Sequence, residues 1–185
     1  MENIFFDIKK LKSCGKNVII GKTVRIRNPE LVEIGNNVII DDFTYITGHI
    51  SIGNYVHIAS SCSLQASKSK IILADFAGLS SGCRVIASGA EFVNCGFDYA
   101  TIPSDLRYGG VNKEVYIGKY VQVGANSVVL PGSNLPIGFT CGALSKLRDR
   151  LDYKPWSVLV SEEDGRCVRR TGVKKLIEQS QRAYE

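Results

Sequence analysis

No stretch of this chain stays apolar long enough to cross a bilayer, so a membrane span is not expected. The first residues, MENIFFDIKKLKSCGK, mix acidic and basic side chains with apolar ones and lack the pattern of a secretory signal. A cytoplasmic location is therefore the expectation. In that setting the six cysteines read as thiols rather than as a disulfide framework. No CxxC pair occurs, which argues against a structural zinc site, and no metal is expected. The net charge of +5 has no nucleic-acid-binding motif behind it, so no nucleic acid partner is expected. A phosphorylated small molecule accounts for the same charge. Histidine is scarce: His49 and His57 are the only two. Few side chains can therefore titrate near neutrality.

What the sequence does have is a period of six. Aliphatic residues recur at Ile34, Ile40, Ile46, Ile52, Ile58 and Leu64. After a small insertion the series resumes with Leu73, Leu79 and Val85. After a long break it resumes with Ile117, Val123, Val129, Leu135, Cys141 and Leu147, and Ile20 and Ile26 form an earlier fragment. A second column lies two residues before the first and is mostly small or β-branched: Val38, Thr44, Ile50, Val56, Cys62, Ala77, Cys83, Val121, Ser127, Ser133 and Ser145. Residues two apart on a strand share a face. Both columns should therefore point inward, with the residue between them pointing out. A third column of glycine follows at Gly21, Gly35, Gly53, Gly118, Gly124 and Gly142, which suggests a turn of unusual backbone angle after every short strand. Three strands and three turns make an eighteen-residue coil. Stacked coils bury a continuous core. Helical spacing near 3.6 is absent from this region and appears only at 172–183, where Val173, Leu176 and Ile177 suggest a helix packed on the end of the coil.

The pattern resembles the hexapeptide-repeat acyltransferases, whose coils wind into a left-handed parallel β-helix. The left hand is implied by the resemblance, since parallel crossovers in general favour the right. DFAGLSSGCRV (75–85), VYIGKYVQVGANSVVLPG (115–132), CGALSKL (141–147) and Pro155-Trp156 are similar to bacterial sugar O-acetyltransferases of the galactoside and xenobiotic type, many of which serve surface-polysaccharide synthesis. The expected fold is thus all-β, a left-handed parallel β-helix with an inserted loop and a short C-terminal helix. Its divisions are an N-terminal segment 1–17, the β-helix 18–151 with its loop at 88–114, and a C-terminal extension 152–185. The extension departs from the family, which usually ends in a Gly-x-Pro-Ala-Lys segment soon after Pro-Trp.

The loop carries Glu91, Phe92, Phe97, Asp98, Tyr99, Asp105, Arg107 and Tyr108. A long excursion from a rigid solenoid is usually functional, and this mixture suits a sugar-binding rim. Phe92, Asp98, Tyr99, Arg107 and Tyr108 are the candidate acceptor contacts. In the resembling enzymes such a loop reaches toward the neighbouring subunit of a trimer, so a homotrimer is implied. Galactoside acetyltransferases place a catalytic histidine in the loop, and here Ala90 stands in its place. His57, outward between Val56 and Ile58 in the family-like string GNYVHIA, is then the candidate general base for a hydroxyl acceptor. Glu91 is the competing base, or a group that orients the base or binds the sugar. The resemblance also implies a coenzyme site. Gly124, Ala125, Gly142 and Ala143 would let the pantetheine arm approach the backbone, and Lys146, Arg148 and Arg150 would meet its phosphates. The register sets Ile58, Leu79, Val123 and Cys141 on one face, with His57 two coils below the strand that leads to Ala125.

The resulting expectation is acetyl transfer from acetyl-CoA to a sugar hydroxyl, in polysaccharide or O-antigen (lipopolysaccharide) synthesis. An amino group on a nucleotide-linked sugar is the alternative acceptor, and a non-catalytic β-helix scaffold is the alternative class.

Overall fold

A computed structural model describes residues 7–90, 99, 101–149, 152–161 and 166–184. The inward columns set the architecture. Every aliphatic position named above is buried, from Ile20 to Leu147, and so is every position of the small column. Short strands present these residues in pairs, and each strand pairs in parallel with the equivalent strand of the next coil. Among the described residues no helix is long and apolar enough to cross a membrane.

Three faces result. On the first face, Ile19–Ile20, Ile39–Ile40, His57–Ile58, Gly78–Leu79, Gln122–Val123, Thr140–Cys141 and Ser157–Leu159 stack in order. Its register links Ile58 to Leu79, Leu79 to Val123, and Val123 to Cys141. This is the alignment that the sequence period implied. The second face holds Arg25–Ile26, Arg84–Ile86, Val128–Val129 and Lys146–Leu147, and the third holds Ser13–Cys14, Val32–Ile34, Val115–Ile117 and Asn134–Leu135. Two long strands, Tyr45–Ile52 and Ser63–Leu73, belong to both of these faces.

Those long strands depart from the expected turn after every short strand. At the second corner, between the second and third faces, the chain runs on without leaving the sheet. The pairing shifts register at Gly48, and Gly48 and Ser67 take positive φ values of 84° and 48°. The insertion between Leu64 and Leu73 is absorbed there. The inserted loop leaves from the same corner through an antiparallel ribbon of Ser88–Gly89 and Val111–Asn112.

The glycine column requires a correction. Gly21, Gly35, Gly53, Gly118, Gly124 and Gly142 do not take positive φ. The left-handed residues come later in each turn and are mostly not glycine, among them Asn37 (56°), Tyr55 (58°), Phe76 (60°), Tyr120 (63°) and Leu144 (63°). Gly21, Gly35, Gly53, Gly118 and Gly124 are needed because the next coil lies against them, whereas Gly142 faces open space. A Cβ on Gly35 would meet the Gly53 carbonyl at 2.7 Å, and one on Gly124 would meet the Gly142 carbonyl at 2.2 Å. Polar side chains stitch the third corner, between the third and first faces. Asn36 Oδ1 accepts from the Lys16 N–H, Asn54 Oδ1 from the Asn36 N–H, and Asp75 Oδ1 from the Asn54 N–H, at 2.7–2.8 Å.

The C-terminal segment is held against the solenoid in two ways. Cys167–Arg169 adds an antiparallel strand to Ser157–Leu159. Helix α1 (Val173–Tyr184) then runs along the third corner rather than on the end of the coil. The reason is aromatic. Tyr55, Phe76, Tyr120 and Trp156 stack along that corner with ring centroids 4.8–5.6 Å apart. They form an apolar ridge that Tyr184 meets edge-on. Tyr120 and Ser180 hydroxyls join at 2.6 Å, the Tyr55 hydroxyl donates to the Ala183 carbonyl, and the Tyr184 hydroxyl donates to Asp75 at 2.7 Å.

The glycine geometry yields a paired test. Gly35→Ala should destabilise the protein by about 1–3 kcal/mol, because a Cβ has no room against the Gly53 carbonyl. Gly142→Ala faces open space and should stay within about 0.5 kcal/mol of the parent. Urea unfolding of both variants measures the difference.

Candidate functional site

The residues singled out from the sequence occupy three places on the prism. At the first corner, between the first and second faces, Gly124-Ala125 and Gly142-Ala143 are consecutive rungs, and the Leu144 N–H donates to the Ala125 carbonyl at 2.8 Å. Ala125 is half-buried and Ala143 exposed. Lys146 follows on the second face, paired in register with Val128, and Arg148 is half-buried just beyond it. Arg150 lies outside the described residues.

His57 sits on the first face and points outward, its side chain 58% exposed. Its Nε2 meets Asp41 Oδ2 at 2.8 Å. That contact orients the ring and leaves Nδ1 as the nitrogen turned to other partners. The next rungs above it are Gly78 and then Gln122, so it stands two coils below Gln122, on the order of 10 Å away. A cleft of 260 Å³ lies beside the imidazole, with Gly78 on its wall. Phe76 and Tyr120 from the aromatic column, Gln122, Arg170 and Leu176 of α1 line it. Arg170 donates to the Tyr120 and Gly138 carbonyls at 2.9 and 3.1 Å, which ties the C-terminal segment over this face.

The loop opens a larger cleft, of 690 Å³, at the second corner. Arg27, Lys68 and Arg107 bring positive charge to it. Asn28, Gln65, Ser67 and Asn112 bring hydrogen-bonding groups, and Tyr45 brings a ring. Ala90 is also on its wall. Arg107 is braced by its own loop, Nε donating to the Ile102 carbonyl at 2.5 Å. Tyr99 and Tyr108 are exposed. Glu91, Phe92 and Asp98 lie outside the described residues. Of the expected acceptor contacts among the described residues, Arg107 alone is on the wall of this cleft.

Within one chain, then, the Gly124-Ala125 and Gly142-Ala143 turns, His57 and the loop cleft are on different parts of the prism. The sequence reading missed Asp41, Arg27, Asn28, Gln65 and Lys68. A signal for two of these was present. Arg27 and Gln65, like Thr47, directly follow aliphatic residues of the same face, where alternation turns side chains outward. Among the described residues no group of three or more His, Cys, Asp or Glu is placed to hold a metal ion.

Comparison with known proteins bears on this geometry. The family model for bacterial transferase hexapeptide (six repeats) matches residues 32–65. The chain is 34% identical over 142 residues to a dTDP-4-amino-4,6-dideoxy-D-glucose acyltransferase of Escherichia coli, covering 75% of this chain and 72% of the relative. It superposes on AntD, an N-acyltransferase from Bacillus cereus in complex with dTDP and 3-hydroxybutyryl-CoA, with a TM-score of 0.86 and 31% identity over 99% of both chains. A maltose O-acetyltransferase from Clostridium difficile 630 shares the fold, with a TM-score of 0.56 and 19% identity over 88% of this chain and 71% of the other.

One of the contacts that hold α1, which supplies Leu176 to the His57 cleft, is made to a carboxylate. Burial raises the pKa of Asp75, but the Asn54 N–H, the Tyr184 hydroxyl and the Lys119 ammonium outweigh it and hold the group below the ordinary carboxylate value. A lowered pKa in the folded state contributes stability above the unfolded value, and that contribution is lost as pH falls through the folded value. Acidification from about pH 5 to about pH 3 should therefore loosen α1. Amide exchange in α1 should accelerate over that range in the parent, and the change should be much smaller in Asp75→Asn.

Proposed function

The chain belongs to the hexapeptide-repeat sugar acyltransferases, and within them we propose that it transfers an acyl group from coenzyme A to the amino group of a nucleotide-linked sugar. The cleft at the second corner carries the reading. Three cationic side chains, Arg27, Lys68 and Arg107, face one space with amide and hydroxyl groups, and no carboxylate is among the described residues of its lining. Guanidinium and ammonium groups suit a diphosphate, and Asn28, Gln65 and Asn112 suit sugar hydroxyls. The relatives that match along most of the chain, an acyltransferase named for a dTDP-aminosugar and an N-acyltransferase bound to dTDP, support the same acceptor.

The chemistry asks little of the protein beyond placement. The neutral amine attacks the thioester carbonyl carbon, and a tetrahedral intermediate carries the developing negative charge on oxygen. Backbone N–H groups at the Gly124-Ala125 and Gly142-Ala143 turns are the donors for that oxygen and for the pantetheine amides. The C–S bond then breaks and coenzyme A leaves as its thiolate. The nitrogen gives up one proton, which the thiolate or solvent takes. No metal is called for. Lys146 and Arg148 meet the coenzyme phosphates. Acetyl-CoA is the expected donor, with longer acyl groups admitted by the same arrangement. A homotrimer joins the three places, because a neighbouring copy can bring its loop cleft to the donor corner of the first. Residues 18–151 form the catalytic body between the 1–17 segment and the 152–185 extension. The nucleotide-sugar and acyl-CoA substrates suit the cytoplasm and surface-polysaccharide synthesis.

One observation favours a second reading, O-acetylation of a sugar hydroxyl. His57 is oriented by Asp41 and is open on its other side, as a general base for a hydroxyl would be. Thiol release from acetyl-CoA with amino and hydroxyl acceptors separates the two. Turnover on a dTDP-linked aminosugar, falling less than about tenfold in His57→Ala, is the expected result. Turnover on hydroxyl acceptors alone, lost by about 100-fold or more in His57→Ala, would replace the first reading by the second.

A further inference from the structure

The first corner differs from the other two in its inward column. At the third corner that column is apolar at Val18, Val38, Val56, Ala77, Val121 and Phe139, and polar at its last rung, where Ser157 donates to the Lys154 carbonyl three residues before it. At the second it is Val32, Ile50, Ile71 and Val115, with Ser133 turned onto its own Leu130 carbonyl. At the first it begins with Val24 and continues as Thr44, Cys62, Cys83, Ser127 and Ser145, all buried. Four of these reach up one coil to the first carbonyl of the next turn. Thr44 Oγ1 donates to Ala59 (3.3 Å), Cys62 Sγ to Ser80, Cys83 Sγ to Gly124 and Ser127 Oγ to Gly142 (each 3.2 Å). Ser145 adds a second hydroxyl to the Gly142 carbonyl at 3.1 Å, and its N–H donates to Ser127 Oγ at 3.1 Å.

A peptide unit is planar and trans, so its carbonyl and its N–H point in opposite directions. Holding the Gly124 carbonyl toward Cys83 therefore aims the Ala125 N–H away from it. The Gly142–Ala143 unit is fixed in the same way. Neither the Ala125 N–H nor the Ala143 N–H has a partner among the described residues. A flipped peptide would present a carbonyl to the thioester oxygen, which is repulsive where a donor is wanted. We infer that Cys83, and Ser127 with Ser145, are positioning residues of the donor site, holding the Gly124 and Gly142 carbonyls so that the Ala125 and Ala143 N–H groups stay turned to the acyl-coenzyme A. The inference rests on the reading of these turns as the donor site. Cys83 stays protonated and so remains a donor, because the Cys62 sulfur beside it and its burial both push its pKa well above the ordinary thiol value.

Titration calorimetry with acetyl-CoA tests this without knowledge of the acceptor. Cys83→Ala should bind about five- to tenfold more weakly, the worth of one hydrogen bond. Cys83→Ser, which keeps a donor, should bind within about twofold of the parent. Cys62→Ala removes the same contact one coil lower, at Ser80. It should lose comparable melting temperature and keep parental affinity. Parental affinity in Cys83→Ala, or an equal loss in Cys62→Ala, overturns the positioning role. Ala125→Trp and Ala143→Trp separate this from failure of the donor reading. Loss of binding in both upholds the site, whereas parental binding in both removes the site and the inference with it. If Cys83→Ala does not fold, Ser127→Ala takes its place. It should lose only about twofold, because Ser145 still holds the Gly142 carbonyl, and no loss even in Ser127→Ala/Ser145→Ala would overturn the role.

Discussion

Each coil must lie on the next at strand distance through its corners as well as along its faces. Faces meet this condition easily, since parallel strands pair at about 4.8 Å whatever side chains they carry. Corners do not. A turning chain lifts its Cβ atoms and its unpaired N–H and carbonyl groups toward the neighbouring coil. Glycine removes the first obstacle where a carbonyl lies within 2.2–2.7 Å of the missing Cβ, as at Gly124 and Gly35. Side-chain hydrogen bonds remove the second. At the third corner the side-chain oxygens of Asn36, Asn54 and Asp75 accept from backbone N–H groups, and at the first, hydroxyls and thiols donate to backbone carbonyls. Non-glycine residues in the left-handed region cost on the order of 1 kcal/mol each. Tyr55, Phe76 and Tyr120 offset this by stacking on one another.

The three corners, solved differently, are suited to different work. The third is filled by aromatic rings and roofed by α1, so it is spent on structure. The second is loose, with long strands that slip register at Gly48 and a loop that can leave without breaking the stack. It offers volume and charge. The first is compact and precise in its peptide orientation, and is lined outside by the small Ala125 and Ala143. A donor whose thioester must meet fixed backbone groups belongs at such a corner. An acceptor of varied shape belongs at the looser one.

Much of this was legible in the sequence. The two inward columns were correct at every position, and the pairing of Ile58 with Leu79, Val123 and Cys141 followed from counting coils of three repeats. Periodicity reports burial, and burial is what fixes a solenoid. It reports poorly on what happens between coils. The glycines were attributed to backbone angle, whereas for all of them but Gly142 the contact that selects them is with a residue about twenty positions away. Thr44, Cys62, Cys83, Ser127 and Ser145 looked like scattered small residues until the coil assigned them to a single corner, with Ser133 alone of the small column's polar members at another. The loop cleft was half visible. Arg107 could be named from the loop itself, but Arg27, Gln65 and Lys68 come from two lower coils and meet it only in three dimensions.

The antiparallel strand Cys167–Arg169 has a consequence for how such a molecule behaves in a crowd. A solenoid built by adding parallel rungs ends in a rung whose outer edge is a ready template for another. Nothing in the repeat itself says when to stop, and a second molecule could in principle continue the first as a fibre. Here the edge of Ser157–Leu159 is taken by a strand running the opposite way. A rung added in the direction of the coil would meet this reversed strand antiparallel rather than in the parallel register of the stack. On that face the chain closes its own growing end, and the same polypeptide that terminates the stack goes on to form the helix that clasps its side.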